Sequence, residues 1–527
     1  MRNSIKQSGS PTAACCSLAI AALSLVLPGC NVGPRYLPPT ATAPAAFKES
    51  PDQFKESDGW AVAQPQDAVL RGKWWEIYNE PELNSLEDQL NVDNQNIQQA
   101  FENFMEARAL VREARAQYFP TVSIGGAYTR SQTSSNIGSA VTTGAPGGKQ
   151  AQIFSLPADA SWEPDLWGKV RNTVHAAQYA AQLSAADLEN ERLSEQASLA
   201  EYFFEIRGQD ALQQILNDTV EADKKALAAV QTAYDTGVGD QISVVEAQAT
   251  LESAQSSAIN LGIARAQYEH AIAMLTGKPA STFSIPIEPR TTAPPPIPIG
   301  VPSQLLERRP DIAAAERNMA SANAQIGVAY AAFYPALTLS ASGGVESSAI
   351  KNLLDASSRF WSVGPSISET VYDGGLRRAT VNQYIATYNA NVAAYRQSVL
   401  TAFQQVEDSL AAVRILSQQI LRQREAVDSS STSLQLELGR YENGIDPYID
   451  VVTAQTSLLA NRQSLATLQI QQMTASVQLI ESLGGGWDRS QLPTPAQVTQ
   501  SPSKSETRIE RVVNQNKMER FSAGETR

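Results

Sequence analysis

The sequence contains little of the chemistry that enzymes use. Its 527 residues include two histidines, His175 and His270. Neither has a cysteine or a glutamate at the spacing of a metal site, and the glycine run at 484–486 lacks the lysine that follows a phosphate-binding loop. Because no nucleophile can be paired with a base, we expect a protein that is not an enzyme and that needs no metal or cofactor.

Cysteine is also scarce, with three residues in the whole chain. Two basic residues and an apolar run over 13–27 lead to Cys30, which is the pattern of a secretory signal ending at a lipidation site. Cys15 and Cys16 lie inside that signal, so a chain starting at Cys30 has no second cysteine for a disulfide. We predict a covalent lipid on Cys30, made of diacylglycerol and an N-acyl chain. The alternative is a signal peptide that is cut without lipidation.

Long apolar runs and basic residues are both in short supply. The run before Cys30 is shorter than the roughly 20 residues of a spanning helix, and no later segment is long and apolar enough. The chain has 41 Lys and Arg against 54 Asp and Glu, a net charge of −13. This argues against a nucleic-acid partner, because phosphate neutralisation needs a basic surface. The acidity suits a wall that admits cations or neutral molecules, and equally an acidic surface without a selective role.

What the sequence does have is internal repetition. Eight residues between Tyr234 and Leu251 recur in the same order and spacing between Tyr441 and Leu458. The offset is 441 − 234 = 207, and it also relates three residues well ahead of this stretch to three in the second copy. One structural unit is therefore used twice.

Each unit begins with a predicted helix. The first copy keeps a helical spacing of apolar residues at Leu86, Leu90, Ile97, Phe101, Phe104 and Leu110. That helix is predicted to stop at Tyr118-Phe119-Pro120, and the second copy's helix runs from Arg309-Pro310 to Phe333-Tyr334-Pro335. Both stop there because proline cannot continue a helix.

After each of these prolines the pattern alternates between apolar and polar residues, which predicts one β-hairpin in each copy. Beyond the hairpins no proline occurs over 166–278 or 366–446. Ala, Gln, Glu and Leu dominate there, so each stretch is predicted to hold two long helices joined by a glycine turn. A helix from Gly168 to Tyr234 would be about 100 Å long.

The long helices carry a heptad pattern of apolar residues. In the first copy Asp223 interrupts the pattern between Val220 and Leu227. In the second copy we expect Ser431 at the equivalent position. Such faces need neighbouring helices to bury them.

The predicted organisation has six parts. They are a signal peptide (1–29), a lipidated tether with an equatorial segment (30–85), the first repeat (86–278), a proline-rich linker (279–304), the second repeat (305–487) and a polar tail (488–527). We expect the tail to be disordered or draped on the helices.

Four strands in two hairpins cannot cover themselves. If they lie in a membrane their edges must close, because unpaired backbone groups are costly in hydrocarbon. Bacterial barrels have an even number of strands, at least eight, so two chains would supply eight and three chains twelve. The alternative is a soluble four-stranded sheet lying on a helical stalk.

Several short motifs are similar to those of one known family. They are Cys30-Asn31-Val32-Gly33-Pro34-Arg35-Tyr36, Trp74-Trp75, Pro81-Glu82-Leu83-Asn84, Leu306-Glu307-Arg308-Arg309-Pro310-Asp311-Ile312, Gly327-Val328-Ala329, Phe333-Tyr334-Pro335 and Leu483-Gly484-Gly485-Gly486-Trp487. Their order and spacing resemble the outer-membrane efflux lipoproteins of the TolC-like, NodT-type family, from Cys30 to Trp487.

That resemblance implies a mainly α-helical, TolC-like fold. It implies a homotrimer whose twelve-stranded β-barrel, four strands from each chain, lies in the outer-membrane lipid and continues as a long periplasmic α-helical barrel. It also implies two partners, a periplasmic adaptor and an inner-membrane pump of the resistance-nodulation-division type. The implied function is the exit of small molecules through a channel that opens at its periplasmic helical tips.

The resemblance also implies a gate near the second turn. Tyr441 matches a tyrosine of the family's closed network and Asp450 the first of two aspartates, but Thr453 stands at the second. Our hypothesis is that Asp450, Asp446 and Tyr441 line the constriction, with Asp240 and Glu246 of the first repeat nearby. The alternative is a set of solvated carboxylates near helix N-termini, where the helix dipole favours them.

The two turns are the predicted contacts of the adaptor. These residues are Gly237, Val238 and Gly239 in the first repeat, and Gly444 and Ile445 in the second. The glycines also cap the preceding helices.

Two other functions stay open at this point. A protein-secretion exit duct of the type I kind would keep the channel and change the cargo. A periplasmic coiled-coil lipoprotein scaffold would have no channel, and two alternating hairpins would then serve no purpose.

Overall fold

The computed structural model describes residues 31–38, 40, 44, 47–49, 72–132, 134, 150–297 and 305–501. The helices with our labels are α1 (Pro81–Asp93), α2 (Gln95–Ala116), α3 (Lys169–Asp235), α4 (Gln241–Leu275), α5 (Pro310–Ala331), α6 (Leu376–Glu442), α7 (Tyr448–Ser482) and α8 (Pro495–Thr499). The strands are β1 (Thr121–Ile124), β2 (Ala127–Gln132), β3 (Gln150–Trp162), β4 (Ala336–Ser347) and β5 (Arg359–Ser368). The chain is thus mainly helical with one small sheet.

The long helices of the two repeats have the same lengths and the same offset as the sequence repeat. Helices α3 and α6 each contain 67 residues, and α4 and α7 each contain 35. Their first residues differ by 376 − 169 = 207 and 448 − 241 = 207. At about 1.5 Å per residue, α3 and α6 are each about 100 Å long, as predicted.

The helix predicted from Leu86 to Pro120 is wrong in one respect, because it is two helices. Helix α1 ends at Asp93, and Asn94 takes an extended conformation in which its side chain accepts hydrogen bonds from the backbone N–H groups of Asn96 and Ile97. Asn94 also donates to the carbonyl of Leu275, 3.0 Å away. An N-cap fixed by a contact from another helix therefore breaks the helix.

The strands form one antiparallel sheet in which the two hairpins pair with each other through β3 and β4. The first predicted strand is divided into β1 and β2, which both pair with β3 in one continuous register. The gap lies at Gly125 and Gly126, opposite Pro157, which has no N–H to donate to the ladder. The sheet therefore has four rows of strands, the first of them interrupted.

The core lies at mid-height of the helices, in a belt that we call the equator. Here α3 crosses α7 so closely that a Cβ at Gly208 would overlap the side chain of Ile470. The largest buried cluster surrounds this crossing and includes Trp74, Phe203 and Ile480. Small residues at a crossing allow two helix backbones to approach.

A buried ion-pair network fastens the linker to the equator. Asp210 accepts from Arg265 Nε at 2.7 Å and from the backbone N–H of Glu288 at 2.9 Å. Arg207 donates to the carbonyl of Pro286 at 2.8 Å and pairs with Glu82. The linker therefore crosses α3 and α4 at a fixed place.

Segments near both ends of the described chain pack on the helices. Phe47 is buried against Val406 and Leu479, from α6 and α7. At the other end, Val498 of α8 is buried against α2 and α3, and Gln182 donates to the carbonyl of Pro493 at 2.8 Å. The described tail, 488–501, is thus draped on the helices.

Candidate functional site

Two regions of the fold could carry a function. One is the sheet, and the other is the far end of the long helices, where the turns at 236–240 and 443–447 lie. We call this far end the tip. Among the described residues, no helix is apolar over a length that could cross a membrane.

The sheet has one apolar and one mainly polar face. The register places Val122, Leu339 and Val363 on the same face, and Ser161, Ser340 and Gly364 on the other. The apolar side chains are open to the surroundings, with Trp361 81% exposed and Val363 73% exposed. Within the described chain, the outer edges of β1, β2 and β5 are unpaired. Such a sheet needs an apolar surrounding and further strands at both edges.

The predicted turn glycines end their helices as the sequence indicated. Gly237 has φ +77° and Gly444 has φ +70°, a region that glycine adopts without a Cβ penalty. The backbone N–H of Val238 bonds to Ala233 O at 2.9 Å, and that of Ile445 bonds to Arg440 O at 3.0 Å. Gly239 completes the first turn, and the side chains of Val238 and Ile445 project into solvent, 86% and 63% exposed.

A small cluster joins the two helical hairpins at the tip. Its buried members come from three helices and are Val230 of α3, Ala247 of α4, and Tyr448 and Val451 of α7. Tyr441 of α6 packs on the cluster, with its ring centroid 5.3 Å from that of Tyr448 and an angle of 62° between the rings. The first turn of α7 therefore holds the second repeat against the first.

Two of the predicted gate carboxylates are engaged in local bonds. Asp446 forms a two-point ion pair with Arg440, with 2.9 Å between Arg440 Nη2 and Asp446 Oδ1. This hydrogen bond lowers the pKa of Asp446. Asp240 caps α4 by accepting from the backbone N–H of Ser243 at 2.7 Å, which lowers the pKa of Asp240.

The other predicted gate residues lie close to these two. Burial raises the pKa of Tyr441, and the negative charge of Asp240 raises it further. Asp450 is exposed on the first turn of α7, close enough for its charge to act on Arg440. Glu246 is half-buried on α4, and its charge acts on Tyr448. The structure thus brings all five residues to the tip of one chain.

Three residues of the tip were missing from the predicted gate. Arg440 lies six positions before Asp446, a spacing that no simple helical rule connects across a turn. Tyr448 is buried, and burial raises its pKa to about 12. Asp223 was visible as a break in the heptad pattern, and it is buried against this cluster. Its counterpart in the second repeat is Ser430, which is buried, rather than the predicted Ser431, which is half-buried.

The lipidation site Cys30 lies outside the described residues, but its neighbour does not. Asn31 Oδ1 accepts from Asn172 Nδ2 at 2.9 Å, near the start of α3. The backbone N–H of Val32 bonds to Trp167 O at 3.4 Å, and Trp167 donates to the carbonyl of Pro335 at 2.8 Å. The chain after Cys30 is therefore fixed where the sheet meets the helices.

Comparison with known proteins gives consistent results. A family model described as outer membrane efflux protein matches residues 86–278 and 301–485. The solvent efflux pump outer membrane protein SrpC of Pseudomonas putida is 30% identical over 468 residues, which cover 89% of this chain and 97% of SrpC. The solved outer-membrane channel OprN superposes with a TM-score of 0.79 at 27% identity, covering 87% of this chain and 100% of that one. The open state of the MtrE outer membrane channel of Neisseria gonorrhoeae gives 0.74 at 25% identity, covering 90% and 100%.

A sheet with one apolar face on helical hairpins about 100 Å long therefore defines an outer-membrane channel protein with a TolC-like fold. The chain belongs to the outer membrane efflux protein family, as its motifs predicted. It is located in the outer membrane and extends into the periplasm. It is a channel component and not an enzyme, which confirms that prediction.

Proposed function

We propose that three copies of this chain close their sheets into a twelve-stranded barrel and continue it as a helical duct through the periplasm. The observation that best supports this assembly is the sheet of four rows, which is apolar on one face and unpaired at both described edges. Three copies supply twelve strands, an even number within the range of bacterial barrels. Closure by three chains also gives every long helix a neighbouring hairpin on each side.

Native mass spectrometry of the detergent-purified protein tests this assembly. We expect a trimer, and the same sample should conduct ions in planar bilayers. A dimer would favour an eight-stranded barrel. Purified, folded protein without conductance would favour the periplasmic scaffold instead.

We further propose that the duct carries small molecules delivered by a periplasmic adaptor and an inner-membrane pump of the resistance-nodulation-division type. The names of relatives such as the solvent efflux pump protein SrpC support this cargo class. Copurification of the tagged protein from native membranes is the direct test. Recovery of such a pump and adaptor is expected, whereas recovery of a protein-secretion machinery would favour the type I duct.

The adaptor would dock on the two turns, at Gly237, Val238, Gly239, Gly444 and Ile445. The exposed side chains of Val238 and Ile445 support this assignment. So does an adjoining groove of about 430 Å³ between α3 and α4, whose lining includes Leu227, Val244 and Leu251. A photo-crosslinking amino acid at position 238 or 445 should capture the adaptor, and the same group at exposed position 92 of α1 should not.

The gate would consist of Asp450, Asp446 and Tyr441, with Asp240 and Glu246 beside them. Their common position at the tip supports this, and three copies would place three Asp450 carboxylates around one axis. Like charges held close together disfavour full ionisation and attract cations. We expect Asp450→Ala to raise single-channel conductance and weaken block by divalent cations. Unchanged conductance and block in both Asp450→Ala and Asp446→Ala would exclude this gate.

Finally, we propose that Cys30 carries the lipid anchor. The fixed position of Asn31, beside the junction of sheet and helices, supports this. Acyl chains attached there reach the periplasmic leaflet directly. Mass spectrometry of the mature N-terminal peptide should find a diacylglycerol and an N-acyl group, including palmitate, which Cys30→Ser abolishes. An unmodified cysteine would indicate a signal peptide cut without lipidation.

A further inference from the structure

A buried acid without a partner lies at the tip. Asp223 of α3 is 4% exposed, and its Oδ2 atom has no hydrogen-bond partner among the described residues. A buried, ionised carboxylate without compensation is costly, so such a group stays neutral or changes its surroundings. Its sequence neighbour Lys224 pairs instead with Glu221 at 2.7 Å, on the exposed side of the helix.

One titratable group on another helix lies within reach of the charge of this acid, the phenol of Tyr448. Tyr448 of α7 is 3% exposed, and its pKa is raised first by burial and then by the charges of Asp223, Tyr441 and Glu246. Tyr441 belongs to α6 and Glu246 to α4. The charge of Asp223 thus acts on a buried phenol that two other titratable groups of the tip also act on, and burial alone raises the pKa of Asp223.

The two repeats differ at both members of this pair. The position equivalent to Asp223 is Ser430 (223 + 207), a neutral residue whose hydroxyl donates to Ala426 O at 2.8 Å. The position equivalent to Tyr448 is Gln241 (448 − 207), which is exposed. The repeat symmetry is therefore broken on both sides of one interface, where α7 packs against α3.

We propose that Asp223 and Tyr448 form a proton-dependent latch between the two helical hairpins of one chain. When Asp223 carries a proton, the first turn of α7 packs into the tip cluster and the tip stays closed. When Asp223 loses the proton, a charge lies in an apolar cluster, and α7 moves away so that water can reach it. This latch is a regulation of the channel proposed above and rests on that function.

The sign of the pH response follows from burial. Burial raises the pKa of Asp223 in the packed tip, whereas in an open tip water returns the carboxyl to its ordinary value of about 4. Low pH therefore favours the packed tip, and rising pH above about 4 favours the open one. Each unit of difference between the two pKa values changes the closed-to-open ratio about tenfold for each chain.

Hydrogen exchange of residues 441–452 tests the latch in the purified full-length protein, whether or not it conducts. The measured quantity is the protection of this segment relative to 272–275 at the other end of α4, where three of the four residues are buried, in the same sample. We expect relative protection to fall roughly tenfold or more between about pH 4 and about pH 8. Asp223→Asn, a neutral isostere, should keep the segment protected throughout.

Matched variants separate the latch from general charge effects. Glu221→Gln removes the same charge two residues away on the exposed side and should leave the pH response intact. Tyr448→Gln, which installs the first-repeat residue, should remove the protection even near pH 4. An Asp223→Asn response equal to that of the unmodified protein would overturn the proposal, as would loss of the response in Glu221→Gln.

Planar-bilayer recordings then connect the latch to the channel. Open probability should rise with pH in the unmodified protein and stay low in Asp223→Asn. If neither protein conducts, but the protection of 441–452 still changes with pH in the unmodified protein and not in Asp223→Asn, the channel proposal fails and the latch stands. If the channel conducts with the same pH dependence in both proteins, the latch is wrong and the channel stands.

Discussion

The equator and the tip of the same helices are built in opposite ways. At the equator, Asp210 is bonded on both oxygens, Gly208 brings two helices into contact, and Phe47 packs on α6 and α7. At the tip, few side chains are fully buried, and the cluster that joins the hairpins has four buried members, Val230, Ala247, Tyr448 and Val451. The same pair of hairpins is thus fixed at mid-height and lightly held at its far end. The tip opening proposed above would therefore leave the equatorial contacts in place.

The largest effect should come from filling the helix crossing at the equator. Gly208→Leu adds a whole side chain where even a Cβ would overlap Ile470, so its cost should exceed the roughly 1–3 kcal/mol of ordinary overpacking. We expect little folded protein, measured as the yield and thermal midpoint after purification in detergent. Gly262→Leu is the matched control, because a Cβ at Gly262 meets no atom within 4 Å. Equal loss in both variants would contradict a special role of the crossing.

Breaking the buried ion network should have the next largest effect. Asp210→Asn removes the buried carboxylate that Arg265 bonds at 2.7 Å. Because Arg265 keeps Glu269 and Arg207 keeps Glu82, the cost should stay below the roughly 3–5 kcal/mol of a buried pair that is broken without compensation. A clear drop in the thermal midpoint is expected. The control is Glu425→Gln, which breaks the exposed pair with Arg422 at 3.0 Å and is expected to cost at most about 1 kcal/mol. Similar midpoints for both variants would mean that the equator is not the fixed part.

The smallest effect on stability is expected at the tip. Arg440→Gln removes the ion pair with Asp446, which is largely exposed on the arginine side. The thermal midpoint should stay unchanged, whereas conductance and cation block should change if the tip is the gate. Because Arg440 lowers the pKa of Asp446, the pair is present at neutral pH and is lost only in acid, as Asp446 takes up a proton. A midpoint loss as large as that of Asp210→Asn would remove the contrast between the two regions.

The sequence predicted those features that depend on local chemistry. The ends of the long helices follow from glycines with positive φ, and the strands from alternation after Pro120 and Pro335. The break at Asn94 was not predicted, because the apolar spacing continues through it and a contact with Leu275 decides the cap. The interruption of the first strand depends on Pro157, which only the strand register places opposite the two glycines.

The candidate site was predictable in position but not in its bonds. The repeated turns located the tip, since both copies share the same framework residues. Its partners were not predictable, because Arg440 meets Asp446 across a turn and Asp223 meets Tyr448 across the two repeats. Contacts between residues 225 positions apart (448 − 223) depend on how two hairpins pack, which no local pattern encodes.

The equal lengths of the paired helices have a consequence for how this chain can change. Helices α3 and α6 are each 67 residues long, and α4 and α7 are each 35 residues long. Deleting seven residues from each helix of one hairpin would raise its turn by about 10 Å and leave the other turn protruding alone. Length can therefore vary only by matched steps in all four segments. Any natural shortening or extension of one hairpin should therefore be accompanied by an equal change in the other hairpin of the same chain.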